Sequence, residues 1–449
     1  MRPLPHHLRL PLVLVFLAGL GPTALSAQPT PVGDDFQVNS YTTYGQFNAS
    51  AAMDSSGQFV LVWAGSSFDQ PEGTIIGRRF QSDGTAIGDD FEVSQNEVDY
   101  FTPPAVAARD DGAFLVVWNS FNVFGDFSQD IGGRVYAPDG SPVGGEIVVN
   151  SYTTAGQFDP AVGVLANGNF VVAWGSTGSV GTDTSIDSVQ AQLLASDGSP
   201  VGDQFQVNTY TLFTQSDPAI SPRPDGGFVI VWESNGSDAA DTDGRSIQGQ
   251  IFDASGGLVG GQFEVNSYTT NSQLDPSVSA DGDGGFAVVW RGTGSFGTDT
   301  DDRSVLGQRF AADGQAIGGE IQINTYTTGR QDRAKVASLE DGEFVVTWLS
   351  YGSDLESGQS TQAAFFDADG SAIGTEFVVN AYTTGDQSTP TVASDGDRRF
   401  IFGWSSLESP GTDTDGAVLA RRFQIFAVEG QVFLDANFYG IRGDSEPAV

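Results

Sequence analysis

The chain of 449 residues has no cysteine, and its two histidines, His6 and His7, both lie at the extreme N-terminus. Disulfide staples and thiol nucleophiles are therefore excluded. Once the first residues are removed, a Ser-His-Asp arrangement is excluded too, and the commonest general base is missing. Basic residues are scarce: 19 Lys and Arg stand against 57 Asp and Glu, for a net charge of −38. A nucleic-acid partner is not expected, because such binding rests on cations that neutralise phosphates. Anionic membrane surfaces should be avoided for the same reason. Acidity of this size favours solubility and the binding of cations. No apolar helical period is sustained, and after residue 27 no apolar run approaches the ~20 residues that span a bilayer.

What the N-terminus does contain is a weakly basic start (Arg2, His6, His7, Arg9), an apolar run from Leu10 to Leu20, and the small-residue stretch Ala24-Leu25-Ser26-Ala27. This reads as a secretory signal over residues 1–27. The mature chain is expected to be secreted or held at the cell surface, without membrane insertion after signal removal and without histidine.

The dominant feature is a repeat. Gly57-Gln58-Phe59-Val60-Leu61-Val62-Trp63 recurs as Gly112-Ala113-Phe114-Leu115-Val116-Val117-Trp118 and Gly226-Gly227-Phe228-Val229-Ile230-Val231-Trp232, and returns ending at Trp174, Trp290, Trp348 and Trp404. All seven tryptophans occupy this one place, at spacings of 55, 56, 58, 58, 58 and 56 residues. Such a period signals a repeat architecture. Within a unit, short apolar runs alternate with Asp-Gly turns, the pattern of consecutive β-hairpins. The tryptophan strand is apolar on both faces, as expected of a strand covered on both sides. One four-stranded meander cannot bury both faces, but stacked neighbours can. The expectation is an all-β fold, a seven-bladed β-propeller of four-stranded antiparallel blades spanning 33–427. Phe36 to Asn39 matches the fourth strand of a unit, and the last unit lacks one, so the N-terminal strand is expected to close the ring.

As a set, the repeats resemble the propeller repeats of secreted, acidic bacterial surface proteins. The resemblance rests on G-x-x-F-x-V-N-x-Y-T-T-x-x-Q, then P-x-V, then D-G-x-F-x-V-x-W, and it implies structural or adhesive modules, commonly beside calcium-dependent domains. The second unit departs most, with Ser94 to Tyr100 in place of Asn-x-Tyr-Thr-Thr. Residues 428–449 are similar to the opening of the calcium-binding B-type repeats of bacterial adhesins through Gly430, Phe433, Asp435, Asn437, Gly440, Glu446 and Pro447, and the resemblance implies that they are the C-terminal stub of a further β domain.

Two connections of each unit share one face. The loop after the tryptophan strand is acidic, and Asp241, Asp243, Asp299, Asp301, Asp413 and Asp415 are candidate calcium ligands, as are Asp435 and Asn437 of the stub. Paired carboxylates on one side of a turn suit a hard cation; the alternative is a turn whose aspartates bond their own backbone. The crossover to the next unit carries a Tyr and a Gln: Tyr152 and Gln157, Tyr268 and Gln273, Tyr326 and Gln331. These could form a ring of sugar- or peptide-binding sites, or could glue the blades together; recurrence in nearly every unit favours glue. Arg109, Arg223 and Arg333 are too scattered to form a carboxylate-binding triad, and no catalytic residue stands out. The expectation is a non-catalytic binding or adhesion module for an extracellular glycan or protein, with calcium as a stabilising ion. One alternative is an extracellular polysaccharide hydrolase or lyase that uses carboxylates at the propeller mouth. Another is an architectural spacer of a larger surface protein.

Overall fold

The computed structural model describes residues 28–65, 73–95, 98, 102–121, 129–236, 241, 243–293, 297–299, 301–352, 358–409, 413 and 415–426. The signal segment and the stub with Asp435 and Asn437 lie outside the described residues. All regular structure among those described is β. It forms seven antiparallel sheets, each joined in chain order, and the first strands of successive sheets pack against one another around a ring. The fold is a seven-bladed β-propeller. Blade 4 shows the pattern: Gln215–Pro222 lies innermost, followed outward by Phe228–Asn235, Arg245–Phe252 and Leu258–Glu264. In blade 5 the strands are Gln273–Ala280, Phe286–Thr293, Arg303–Phe310 and Ala316–Gln322. In blade 6 they are Gln331–Ser338, Phe344–Tyr351, Gln359–Phe366 and Ala372–Val378.

The apolar core lies between blades. Phe228, Ile230 and Trp232 pack on Val171, Ala173 and Leu193 of the preceding blade, whereas Val229 and Val231 of the same strand pack on Phe286, Val288 and Trp290 of the next. The strand's two-residue period thus serves two interfaces at once. All seven indoles are fully buried, each contributing about 1.5–3 kcal/mol or more by transfer from water. Six of them donate to the glutamine 17 residues earlier, from Trp63 on Gln46 at 2.7 Å to Trp348 on Gln331 at 3.2 Å. The exception is Trp118, whose indole nitrogen has no acceptor among the described residues; the residue 17 places back is Phe101. Blade 2 also has the shortest inner strand, Ala105–Ala108, because Pro103 and Pro104 supply no N–H to the ladder.

At the seam, Thr30–Pro31 and Phe36–Gln37 pair antiparallel with Ala417–Gln424, and the register sets Phe36 opposite Ala420. The Asn39 side chain accepts from the Val418 N–H and donates to Asp413.

Candidate functional site at the channel mouth

The inner strands of all seven blades enclose a central channel of about 520 Å³, within the ~300–1,000 Å³ typical of ligand sites. In every blade but the second, the inner strand is interrupted near its start by a β-bulge, which turns one residue into the channel mouth. These residues are Asn48, Asp159, Asp217, Asp275, Arg333 and Thr389, and all have positive φ, between 49° and 58°. For non-glycine residues this costs on the order of 1 kcal/mol each. Alignment of the repeats puts Pro103 in the same column.

Sevenfold similarity breaks down here. The residue after each tryptophan is Ala64, Asn119, Gly175, Glu233, Arg291, Leu349 or Ser405. Glu233 shares the face of its strand with Val229 and Val231, so it points at blade 5. It is 2 % exposed. Its Oε1 accepts the Asp275 N–H at 2.7 Å, and its Oε2 accepts from Arg245. Burial, then the neighbouring negative charge of Asp217, push its carboxyl up to about 7 against the bonds from Asp275 and Arg245. Asp275 pairs with Arg291 at 3.2 Å. Arg291 also reaches Asp332 of blade 6, which in addition holds Arg303 at 3.1 Å and Arg330 at 3.9 Å. Asp217 faces the channel with no hydrogen bond or ion pair to a described residue.

The arrangement therefore places two channel-facing carboxylates, Asp217 and Asp275, on adjacent blades above a buried carboxyl that keeps its proton into the neutral range. Titratable groups driven apart in this way are what general acid–base chemistry requires. Sequence reading missed the cluster. The signal available was the column after tryptophan, where one acid stands among mostly small or neutral residues.

The residues that the sequence did single out lie elsewhere. Gln157, Gln273 and Gln331 are buried, with their carbonyl oxygens engaged by the indoles of Trp174, Trp290 and Trp348. Tyr152, Tyr268 and Tyr326 are half-buried on the crossovers, where their backbone N–H groups donate to Gln204, Glu320 and Glu376 of the next blade. Asp241 and Asp299 each accept from the crossover asparagine, Asn266 at 2.9 Å and Asn324 at 2.7 Å, and Asp413 accepts from Asn39 at 2.8 Å. The other oxygen of each accepts the N–H of Asp243, Asp301 or Asp415. Burial raises the pKa of all three carboxyls. Asp243 and Asp301 accept the N–H groups of Asn271 and Gly329. No group of three or more acidic side chains converges as a metal site among the described residues. Of the three arginines weighed together, Arg109 pairs with Asp111 on a turn, Arg223 binds the Gly284 and Ala312 carbonyls, and only Arg333 lines the channel.

No protein-family model matches the chain, and no curated protein matches it. Solved structures do. A polysaccharide lyase superposes with a TM-score of 0.51 at 8 % identity, covering 91 % of this chain and 94 % of its own. A protein of unknown function from Dyadobacter fermentans gives 0.50 at 11 % identity, covering 89 % and 99 %. An α-L-arabinofuranosidase from Fusarium graminearum gives 0.46 at 14 % identity, covering 72 % and 94 %. At such identities the likeness is one of fold. It corrects the expectation that the chain is not an enzyme: a polysaccharide lyase shares this propeller shape, so the architecture does not mark the chain as non-catalytic.

Proposed function

We propose that the protein is an exported polysaccharide-cleaving enzyme whose chemistry is carried by carboxylates at the channel mouth. The observation that carries this reading is the Asp217–Glu233–Asp275 cluster. It is confined to two of seven otherwise similar blades, as a site is and a scaffold need not be. The secretory signal read at the N-terminus supports an extracellular place of action.

In the hydrolytic form, one carboxyl of the cluster donates its proton to the glycosidic oxygen as the bond to the anomeric carbon breaks. A second carboxylate takes a proton from the water that adds to that carbon. Glu233 holds the proton that the pair draws on and fixes the Asp275 bulge through its backbone bond. Asp217, open to the channel and beside Glu233, serves as the second carboxylate.

Lys335 favours a second reading, elimination. Crowding by the channel walls pulls its amine below the usual lysine range, against the opposing charges of Asp275 and Asp217, although its side chain is open to the channel. In the elimination form the Lys335 amine takes the proton α to a sugar carboxylate while the oxygen at the β carbon leaves and is protonated by the cluster. Incubation with a panel of neutral and acidic polysaccharides tests both readings. New reducing ends alone indicate hydrolysis, reducing ends with an ultraviolet-absorbing unsaturated product indicate elimination, and no new reducing ends from any of them would overturn the proposal.

A further inference from the structure

Lys335 is the single lysine of the chain. In a protein with three acids for every base, a cation is expected to find a carboxylate, and the arginines bear this out. Every described arginine but one has a carboxylate or carbonyl partner; the exception is Arg333. The Lys335 side chain likewise makes no ion pair or hydrogen bond with a described residue. The two unpartnered cations sit two residues apart on the inner strand of blade 6, and both are exposed in the channel. In the Lys335 column the other blades carry Ser50, Ala105, Ala161, Ala219, Ser277 and Thr391. Arg333 shares the positive φ of its column, 56°, and its side chain has no partner among the described residues.

We infer that Arg333 and Lys335 form an anion subsite for the carboxylate of a sugar acid, so that the substrate is an acidic, uronate-bearing polysaccharide. This rests on the reading of the mouth as a cleavage site and names its substrate class. The planar guanidinium matches a carboxylate two-pronged, and the ammonium adds a compact second charge. With the sugar acid held on blade 6, the adjoining glycosidic bond lies toward Asp275 of the adjacent blade 5 and Asp217 of blade 4 beyond it. The acidic exterior does not forbid such a substrate, because at physiological salt charges more than ~8 Å away are largely screened whereas those inside the channel are not.

Binding of oligosaccharides of galacturonate, glucuronate and mannuronate is to be measured by calorimetry on the Asp217→Asn variant, which blocks turnover. Methyl esters of the same oligosaccharides, a sulfated galactan and neutral galactan serve as comparisons. At least one uronate should bind, its methyl ester about tenfold or more weaker. Arg333→Ala and Lys335→Ala should each lose a similar factor with an unchanged melting temperature, and Arg333→Lys should restore part of the loss. Tighter binding of the sulfated galactan than of every uronate would overturn the assignment to carboxylate, and equal binding of neutral and acidic sugars would overturn the subsite altogether. Cleavage of a neutral glycan without uronate binding would sink this inference and leave the cleavage reading standing. Uronate binding lost in both variants, with no polysaccharide cleaved by the wild type, would do the reverse.

Discussion

Replacing Glu233 by Gln gives the most quantitative handle on the cluster. The wild-type carboxyl is raised from 4.5 to about 7 by burial and by Asp217. A group raised in the folded state favours folding while it is protonated. Its contribution is therefore complete below about pH 4.5, is lost progressively as pH rises, and is gone above about pH 7. At 1.36 kcal/mol per pH unit, the loss across that window is about 3 kcal/mol. No discount for solvent applies, because the side chain is 2 % exposed. The glutamine variant keeps an acceptor for the Asp275 N–H but has no proton to lose. Denaturant unfolding of both proteins at several pH values between about 4 and 8 gives the difference directly, and common contributions from the other acids cancel. The wild type should lose about 3 kcal/mol relative to the variant between the ends of the range. Parallel curves would show that Glu233 titrates normally, and with that the cluster would lose its proton reservoir.

Gln273→Leu should cost about 1–3 kcal/mol, because it strands the buried Trp290 N–H; a variant as stable as wild type by denaturant unfolding would mean that the indole finds another acceptor. Deletion of residues 28–45 removes both strands that pair with Ala417–Gln424 and the Asn39 bonds to Val418 and Asp413. A sharply lower Tm by calorimetry is expected, and an unchanged Tm would argue against ring closure by this segment. Calcium at the loops of Asp241, Asp299 and Asp413 is a separate proposal: after chelation, millimolar calcium should raise Tm by several degrees, and absence of any shift removes it.

The scaffold was legible because each blade repeats the same physical problem. A two-faced strand ending in Trp must be covered on both sides, so the Trp period alone carried the ring. The site was not legible for the opposite reason. It consists of departures from the repeat, and a reading that weights recurrence gives those departures least attention. Glu233 occupies a column filled elsewhere with Ala, Gly, Ser, Asn, Leu and Arg, and only the strand's facing, toward blade 5, brings it under Asp275. Asp217 and Asp275 stand before prolines in strands that look regular in sequence; the bulge that turns them into the channel is invisible there. Arg333 was grouped with Arg109 and Arg223 by residue type, although the fold spends those two on turns. The recurring Asn of Asn-x-Tyr was likewise visible only as a pattern. In the structure, Asn266 accepts the Ile247 N–H and donates to both Asp241 and the Tyr268 carbonyl, tying loop, crossover and third strand together.

The central claim is that carboxylates of blades 4 and 5 cleave a polysaccharide. Reducing-end release by wild type, Asp217→Asn and Asp275→Asn, compared at equal Tm on whichever polysaccharide the wild type degrades, tests it most directly. The account predicts that each substitution lowers kcat/KM by about a hundredfold or more. Wild-type rates in both variants would contradict it.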